Sequence, residues 1–220
     1  MDLQMPVMTS GFVEDEGEIW CRIDDFDRRP PFFVTLAGDS DLWAFVSTAG
    51  SLAAGRRDAA GAFFPYETVD RIHHRWEHTG PRTWIRFEHD GELVLWQPFA
   101  PRLVGGAGRR SVWKNLSGTR LRFREEHPSG RLWFQHEWFT AAPLGLVRSA
   151  RLQALDEAVS VQVLDGLLNL VPPGASPEHA STKSSLTAAY KWNEALAGGR
   201  LGLFSLYAQI WDRAEPKESF

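Results

Sequence analysis

"RTWIRFEHDGELVLWQPF", residues 82–99, is the stretch that decides the fold. From Thr83 to Glu88, alternate side chains would fall on opposite sides of an extended chain, because strand residues point to the two faces in turn. Asp90-Gly91 has the composition of a two-residue hairpin turn, and an apolar run from Leu93 to Trp96 follows it. The stretch therefore predicts two antiparallel strands joined by a tight turn.

The same alternation recurs further along the chain. In "TRLRFREEHPSGRLWFQHEWFT" (119–140), leucine and phenylalanine alternate with arginines, and "HPSG" predicts a turn before a second aromatic strand. In "LVRSARLQALDEAVSVQVLDGLLNLVP" (146–172), two strand patterns flank a turn at "LDEA". A further strand pattern surrounds residues 203–207. Many short strands with turns between them predict an all-β, antiparallel sandwich that forms one domain over residues 1–220.

Composition supports this fold class. The chain has ten tryptophans and fourteen phenylalanines, and large rings favour strands. The main helical signal is weak and lies between a proline–glycine loop and the last strand pattern, so we expect a short helix near residues 185–195.

Charge and cysteine content exclude several classes of protein. The net charge of −4 gives no attraction to nucleic acid or to an anionic membrane surface. Cys21 is the single cysteine, which excludes an internal disulfide and a metal site built from cysteines. The sequence shows neither a signal-peptide pattern nor an apolar segment of membrane-spanning length, so we expect a cytoplasmic protein.

The run "YETVDRIHHRWEHTGP", residues 66–81, is rich in histidine. Read as a strand, it would place His74, Trp76 and His78 on one face and His73 with its alternate neighbours on the other. Histidines four apart on a strand are about 13 Å apart and cannot share a metal ion. We therefore predict a polar strand face without a metal, and we expect no cofactor elsewhere in the chain.

Exposed tryptophans could bind sugar, because the apolar face of a pyranose stacks on an indole ring. Trp43, near Asp39 and Asp41, and Trp96, beside Gln97, are the carbohydrate-stacking candidates. The alternative for each ring is a place in the core. The stretch "AGSLAAGRRDAAG" (49–61) is read as a glycine-rich loop with exposed arginines rather than as a phosphate-binding loop.

Three stretches together resemble the N-terminal region of cellobiose phosphorylase-like proteins, which are inverting glycoside phosphorylases and their relatives. They are "AGRRDAAGAFFPYETVDRI" (54–72), "VQVLDGLLNLVPPG" (161–174) and "AYKWNEALAGGRLGLFSLYAQIWDRAEPKESF" (189–220). The resemblance implies a β-super-sandwich similar to galactose mutarotase. In that family a C-terminal (α/α)₆ barrel carries the catalytic groups, so we expect this chain to be a noncatalytic fragment of a longer carbohydrate-active enzyme, a phosphorylase or a hydrolase.

The resemblance also suggests partners and site residues. In such enzymes, loops of this region approach the barrel or a partner subunit, which makes Arg56, Arg57, Tyr66 and Asp70 pocket-edge or interface candidates. The expected partners are the catalytic barrel, a saccharide bound through the parent enzyme and, through an uncovered apolar surface, a second copy of the chain. No catalytic residue carries over.

Two other functions stay open at this point. A free-standing sugar epimerase would need a histidine acid and a carboxylate base, for which His73, His74, and His136 with Glu137 are candidates. A lectin-like module would instead bind glycans with exposed tryptophans. A mutarotation assay and a glycan-binding assay on the isolated chain would separate these possibilities.

Overall fold

A computed structural model of the protein describes residues 10–38, 41–100, 108–141, 144–171, 182, 189 and 191–206. The strands in this part of the chain are β1 (Ser10–Asp15), β2 (Glu18–Asp24), β3 (Phe33–Leu36), β4 (Leu42–Ser47), β5 (Leu52–Arg56), β6 (Gly80–His89), β7 (Glu92–Trp96), β8 (Arg110–Asn115), β9 (Arg120–Glu126), β10 (Leu132–Ala141), β11 (Gly145–Ala154), β12 (Val161–Leu168), β13 (Lys191–Leu196) and β14 (Leu201–Leu206). Short 3-10 turns cover Phe26–Arg28, Ala59–Gly61, Ile72–His74 and Ala197–Gly199. The pairings between these strands are antiparallel, which confirms the predicted all-β fold class.

The strands form one large sheet and three small ones. The six-stranded sheet has the order β1-β2-β8-β9-β10-β11, and the smaller sheets are β3-β4-β5, β12-β6-β7 and the hairpin β13-β14. Along β10, Phe134, His136 and Trp138 point to one side, which we call the inner side. The β3-β4-β5 and β12-β6-β7 sheets both pack on this inner side, so the core has the layers of a β-sandwich.

The first part of the core joins the six-stranded sheet to the β3-β4-β5 sheet. Its buried members are Phe26, Leu36, Ala44, Val46, Leu52, Ala54, Phe64, Val112, Leu121, Phe123 and Trp138. The second part joins β10 to the β12-β6-β7 sheet through Ile85, Phe87, Trp96, Leu132 and Phe134. Phe99 packs against both parts, because its backbone N–H donates to the buried carboxylate of Glu125 and this fixes the loop that carries it. Burial of large apolar side chains on the inner side therefore holds the two layers together.

Both predicted hairpin turns are confirmed. Asp90 and Gly91 have φ of 52° and 78°, the left-handed conformation that a two-residue turn of this type requires at both positions. The turn places His89 opposite Glu92 and pairs β6 with β7. Between β9 and β10, the Gly130 N–H donates to the His127 carbonyl at 2.8 Å. After the turn at "LDEA", in contrast, the chain crosses from the six-stranded sheet to the opposite layer, where β12 pairs with β6.

The glycine-rich stretch 49–61 is not the loop that its composition predicts. Residues Leu52–Arg56 form β5, and its small side chains are buried. A Cβ at Gly55 would lie 2.5 Å from the Gly61 carbonyl oxygen and 2.6 Å from the Trp43 ring. Small residues are needed here because a neighbouring turn and an indole ring pack directly on the strand backbone.

The prediction that the histidine run forms a strand is wrong. Ile72–His74 is a 3-10 turn, and the His78 N–H donates to the Arg75 carbonyl at 2.9 Å in a second turn. Strand β6 begins only at Gly80. Ile72 is fully buried while the residues around it are mostly polar, so packing of this one side chain against other parts of the chain favours a turn, and an extended run would have gained no continuous apolar face.

The expected helix near residues 185–195 is wrong in its second half, because Lys191–Leu196 is strand β13, paired with β14. Ala189 is helical, and the remaining residues of that prediction lie outside the described part of the chain. The described residues contain no helix that is long and apolar enough to cross a membrane.

Candidate functional site

The outer side of the six-stranded sheet carries aromatic and charged side chains. Because strand residues alternate, the side chains between the core positions of β9 and β10 point away from the second layer. The register places them beside outward residues of β2 and β8. We call this set the arginine–tryptophan face; it comprises Trp20, Trp113, Arg120, Arg122, Arg124, Trp133, Gln135 and Glu137.

Guanidinium groups stack on the indole rings of this face. The Arg122 guanidinium carbon lies 4.2 Å from the centre of the Trp20 ring. The same atom of Arg124 lies 4.5 Å from the Trp133 ring and 5.3 Å from the Trp113 ring. Each such contact stabilises by about 0.5–2 kcal/mol, depending on how much water it excludes. The tryptophan rings are therefore covered by arginines rather than open to a stacked sugar.

One buried carboxylate, that of Glu137, holds two of the arginines in place. Glu137 accepts from Arg122 Nε at 2.8 Å through one oxygen and from Arg120 Nε at 2.6 Å through the other. Arg122 also donates to Asp15, which the β1–β2 hairpin brings over the sheet. Glu137 and Arg122 are almost fully buried, at 3% and 2% side-chain exposure. Removing either one would therefore leave the other as a buried charge without its partner.

Burial and pairing act in opposite directions on Arg122. Desolvation lowers the pKa of its guanidinium, whereas hydrogen bonds to Glu137 and Asp15 raise it, and the net shift of the pKa is upward. Arg122 is thus a permanently charged centre of this face.

A second cluster gathers several residues that the sequence analysis singled out. Trp43 contacts Tyr66 edge to face, with ring centres 6.1 Å apart. Asp41 accepts from Arg56 Nη1 at 3.1 Å and lies 3.4 Å from Arg57 Nε. We call Asp41, Trp43, Arg56, Arg57 and Tyr66 the Trp43 edge. This part of the β3-β4-β5 sheet thus carries two separate contacts, an aromatic pair between Trp43 and Tyr66 and a partly exposed ion-pair group around Asp41.

Two other candidates lie elsewhere. Asp70 is on the loop before Ile72, and a hydrogen bond from the Thr68 side chain lowers the pKa of its exposed carboxyl. Trp96 belongs to the second part of the core with 6% exposure, and its ring meets His127 edge to face at 5.1 Å. The Trp96 ring is therefore occupied by core packing rather than available for stacking on a ligand. Asp39 lies outside the described residues.

His136 and Glu137 do not form the histidine–carboxylate pair that a sugar epimerase would need. His73 Nδ1 lies 2.7 Å from the buried Ser47 hydroxyl, which fixes the ring against β4. His136 and Glu137 are adjacent on β10, so they point to opposite sides of the six-stranded sheet. Within the described ranges, no group of three or more histidine, cysteine, aspartate or glutamate side chains could hold a metal ion.

The sequence patterns did not lead us to predict the arginine–tryptophan face as a site. Its signal was present in "RLRFRE" and "WFQHEW", where every second residue is polar or aromatic on the side away from the core. What the sequence could not give is the order of the sheet, which brings Trp20 and Asp15 beside strands about one hundred residues away.

A comparison of the chain with protein-family models finds no match, and a comparison with curated proteins finds none either.

Proposed function

We propose that this chain is a noncatalytic, carbohydrate-associated domain of a larger glycoside phosphorylase-like or glycosidase-like enzyme. Its sandwich would belong to the galactose mutarotase-like super-sandwich class and would pack on a catalytic barrel. The proposal rests on the three resembling stretches, and the antiparallel layers of the fold are compatible with it. Loops of the domain would then help to shape a saccharide pocket.

The observation that carries the proposal is the Trp43 edge. Tyr66 is 45% exposed, and its ring packs edge to face against Trp43 of β4, so an exposed aromatic surface is supported by the sheet. Arg56 and Asp41, the ion-pair group of the Trp43 edge, offer donors and acceptors of the kind that bind sugar hydroxyls. A few polar groups next to an aromatic surface are typical of small-molecule sites.

A second surface supports the contact with a barrel. The outer side of the β12-β6-β7 sheet exposes Trp84, Leu95 and Leu164, at 39%, 63% and 71%. The register places Trp84 opposite Leu164 on neighbouring strands. Apolar side chains grouped on one sheet face favour association with another protein surface, either the barrel or a second copy of this chain.

Titration of the chain with cellobiose, followed by tyrosine and tryptophan fluorescence and by calorimetry, tests the proposal. A pocket wall without its barrel should bind with a dissociation constant of about 1 mM or weaker. Tyr66→Ala should remove the binding, whereas Trp84→Ala, which removes an exposed ring on another sheet, should leave it unchanged.

Three results would contradict the proposal. One is the absence of any binding by the unmodified chain; another is equal binding by Tyr66→Ala. A third is mutarotase activity of the pure chain, which would make it an epimerase. Binding at micromolar concentrations would favour a free-standing lectin-like module over a pocket wall.

A further inference from the structure

Arg124 differs from the other arginines of its face in its hydrogen bonds. Its Nε and Nη2 atoms donate to Gln135 Oε1 at 3.1 Å and 2.8 Å, and Gln135 is an uncharged acceptor. Within the described part of the chain, Arg124 forms no ion pair with a carboxylate, and its Nη1 atom donates no hydrogen bond. The edge of the guanidinium that carries Nη1 can therefore donate hydrogen bonds to another acceptor.

The neighbouring arginines have carboxylate partners. Arg22 pairs with Asp24 at 2.7 Å, and Arg151 lies 3.5 Å from Glu16. Arg122 has Glu137 at 2.8 Å. Among the residues that the structure describes, Arg124 is thus an arginine without a carboxylate partner surrounded by arginines that have one.

The surroundings of Arg124 are electrostatically unfavourable for its own charge. Burial lowers the pKa of its guanidinium, and the positive charges of Arg122, Arg22 and Arg151 lower the pKa further, against the opposing effect of Asp15. A bound anion would relieve this repulsion. The attraction would be stronger than in bulk water because the site is half buried.

The geometry would orient an incoming anion. Stacking between the Trp113 and Trp133 rings restricts the guanidinium plane, while Gln135 fixes one of its edges. A planar fork of donors held in this way matches a carboxylate or another oxyanion through two parallel hydrogen bonds.

We propose that the arginine–tryptophan face binds an oxyanion at Arg124, between Trp113 and Trp133, and that the oxyanion is the carboxylate or sulfate group of an acidic saccharide. The saccharide part of this inference rests on the proposed carbohydrate-associated function. The oxyanion part rests only on the Arg124 site and does not require the Trp43 edge.

Calorimetric titration at low ionic strength with sodium glucuronate, sodium sulfate and glucose tests the site. The unmodified chain should bind glucuronate, and added salt should weaken the binding because the contact is ionic. Arg124→Gln should weaken it at least tenfold. Arg86→Gln removes an exposed arginine from another sheet and should leave it unchanged.

Gln135→Glu provides a second variant that does not remove Arg124. The new carboxylate should form an ion pair with Arg124 and so compete with an external anion. Glucuronate binding should therefore be lost, while the urea midpoint of unfolding is kept or raised. This variant tests the site even if Arg124→Gln fails to fold.

The outcomes separate the two parts of the inference. If the unmodified chain binds sulfate and glucuronate with equal affinity, and both Arg124→Gln and Gln135→Glu lose this binding, the oxyanion site is supported and its saccharide part is overturned. Absence of glucuronate and sulfate binding, or binding unaffected by Gln135→Glu, would overturn the site itself. Loss of cellobiose binding in Tyr66→Ala reports on the proposed function separately.

Discussion

At the scale of single residues, His136 is the most unusual group in the core. It lies on the inner side of β10, stacked on Phe123 at 5.0 Å and edge to face with Phe99 at 5.1 Å. Burial lowers its pKa well below 6.5, and the nearby charge of Arg148 lowers the pKa further. The ring is therefore neutral in the folded protein, and its Nδ1 atom has no hydrogen-bond partner in the described residues.

The buried neutral imidazole makes the stability depend on pH. In the unfolded chain His136 takes up a proton near pH 6.5, but in the folded protein it does so only at much lower pH. The contribution of the neutral imidazole to the free energy of unfolding is complete above pH 6.5. It is lost as the pH falls below that value, by up to about 1.4 kcal/mol per pH unit. Urea unfolding between pH 7.5 and pH 5, at steps of about 0.5 unit, measures this slope.

His136→Phe should reduce the slope, because a phenylalanine cannot take up a proton in either state. His73 and His127, whose pKa values burial also lowers, should leave a smaller residual slope. His78→Gln, which changes an exposed side chain, is the control. An unchanged slope in His136→Phe would show that the buried imidazole does not govern the acid sensitivity.

At the scale of elements, β9 and β10 carry ion pairs of the same chemistry in different surroundings. In the Glu137–Arg122 pair both side chains are buried, and Glu137 also forms an ion pair with Arg120. The Glu126–Arg109 pair is shorter, at 2.6 Å, but the Arg109 side chain is 83% exposed. Distance alone would rank the second pair higher, whereas desolvation makes the first pair the more sensitive to change.

Glu137→Gln should destabilise the protein by about 3–5 kcal/mol, because it leaves two arginines without their shared negative charge. Glu126→Gln should cost less than about 1 kcal/mol. Urea unfolding of the two variants at the same pH compares these values. Equal costs would mean that the arginine–tryptophan face is as well solvated as the exposed pair.

At the scale of the whole molecule, an ion pair joins the two layers of the sandwich. Arg148 of β11 donates two hydrogen bonds to Asp165 of β12, at 2.7 Å and 2.9 Å. Thr83 of β6 donates to the same carboxylate at 2.6 Å. Since β11 and β12 belong to different sheets, this contact fixes how the β12-β6-β7 sheet sits on the six-stranded sheet.

A double-mutant cycle with Arg148→Met and Asp165→Asn should give a coupling free energy of about 1–3 kcal/mol, because the pair is bidentate and Arg148 is mostly shielded. The cycle for Arg131 and Glu157, 4.0 Å apart with Glu157 at 84% side-chain exposure, should give less than about 0.5 kcal/mol. Chemical denaturation of all single and double variants supplies both values. A coupling near zero for the first pair would show that apolar packing alone sets the arrangement of the layers.

Local patterns determined the fold class and the hairpins of this protein. Alternation from Thr83 to Phe87 and the Asp90-Gly91 turn act between neighbours in the chain, and both were predicted correctly. The histidine run and the stretch 49–61 were not, because their conformations depend on packing against other parts of the chain: Ile72 is buried while its polar neighbours are not, and Gly55 meets the Trp43 ring.

The same distinction applies to the candidate sites. The sequence by itself supplied Trp43, Arg56, Arg57 and Tyr66 as candidates, yet the tertiary structure decided that Trp43 meets Tyr66, that Arg56 pairs with Asp41 and that Trp96 belongs to the core. It also decided that Arg124 keeps no carboxylate partner among the described residues. The physical reason is that composition and alternation set which faces a strand buries, whereas only the order of strands in a sheet sets which charges and rings meet across it.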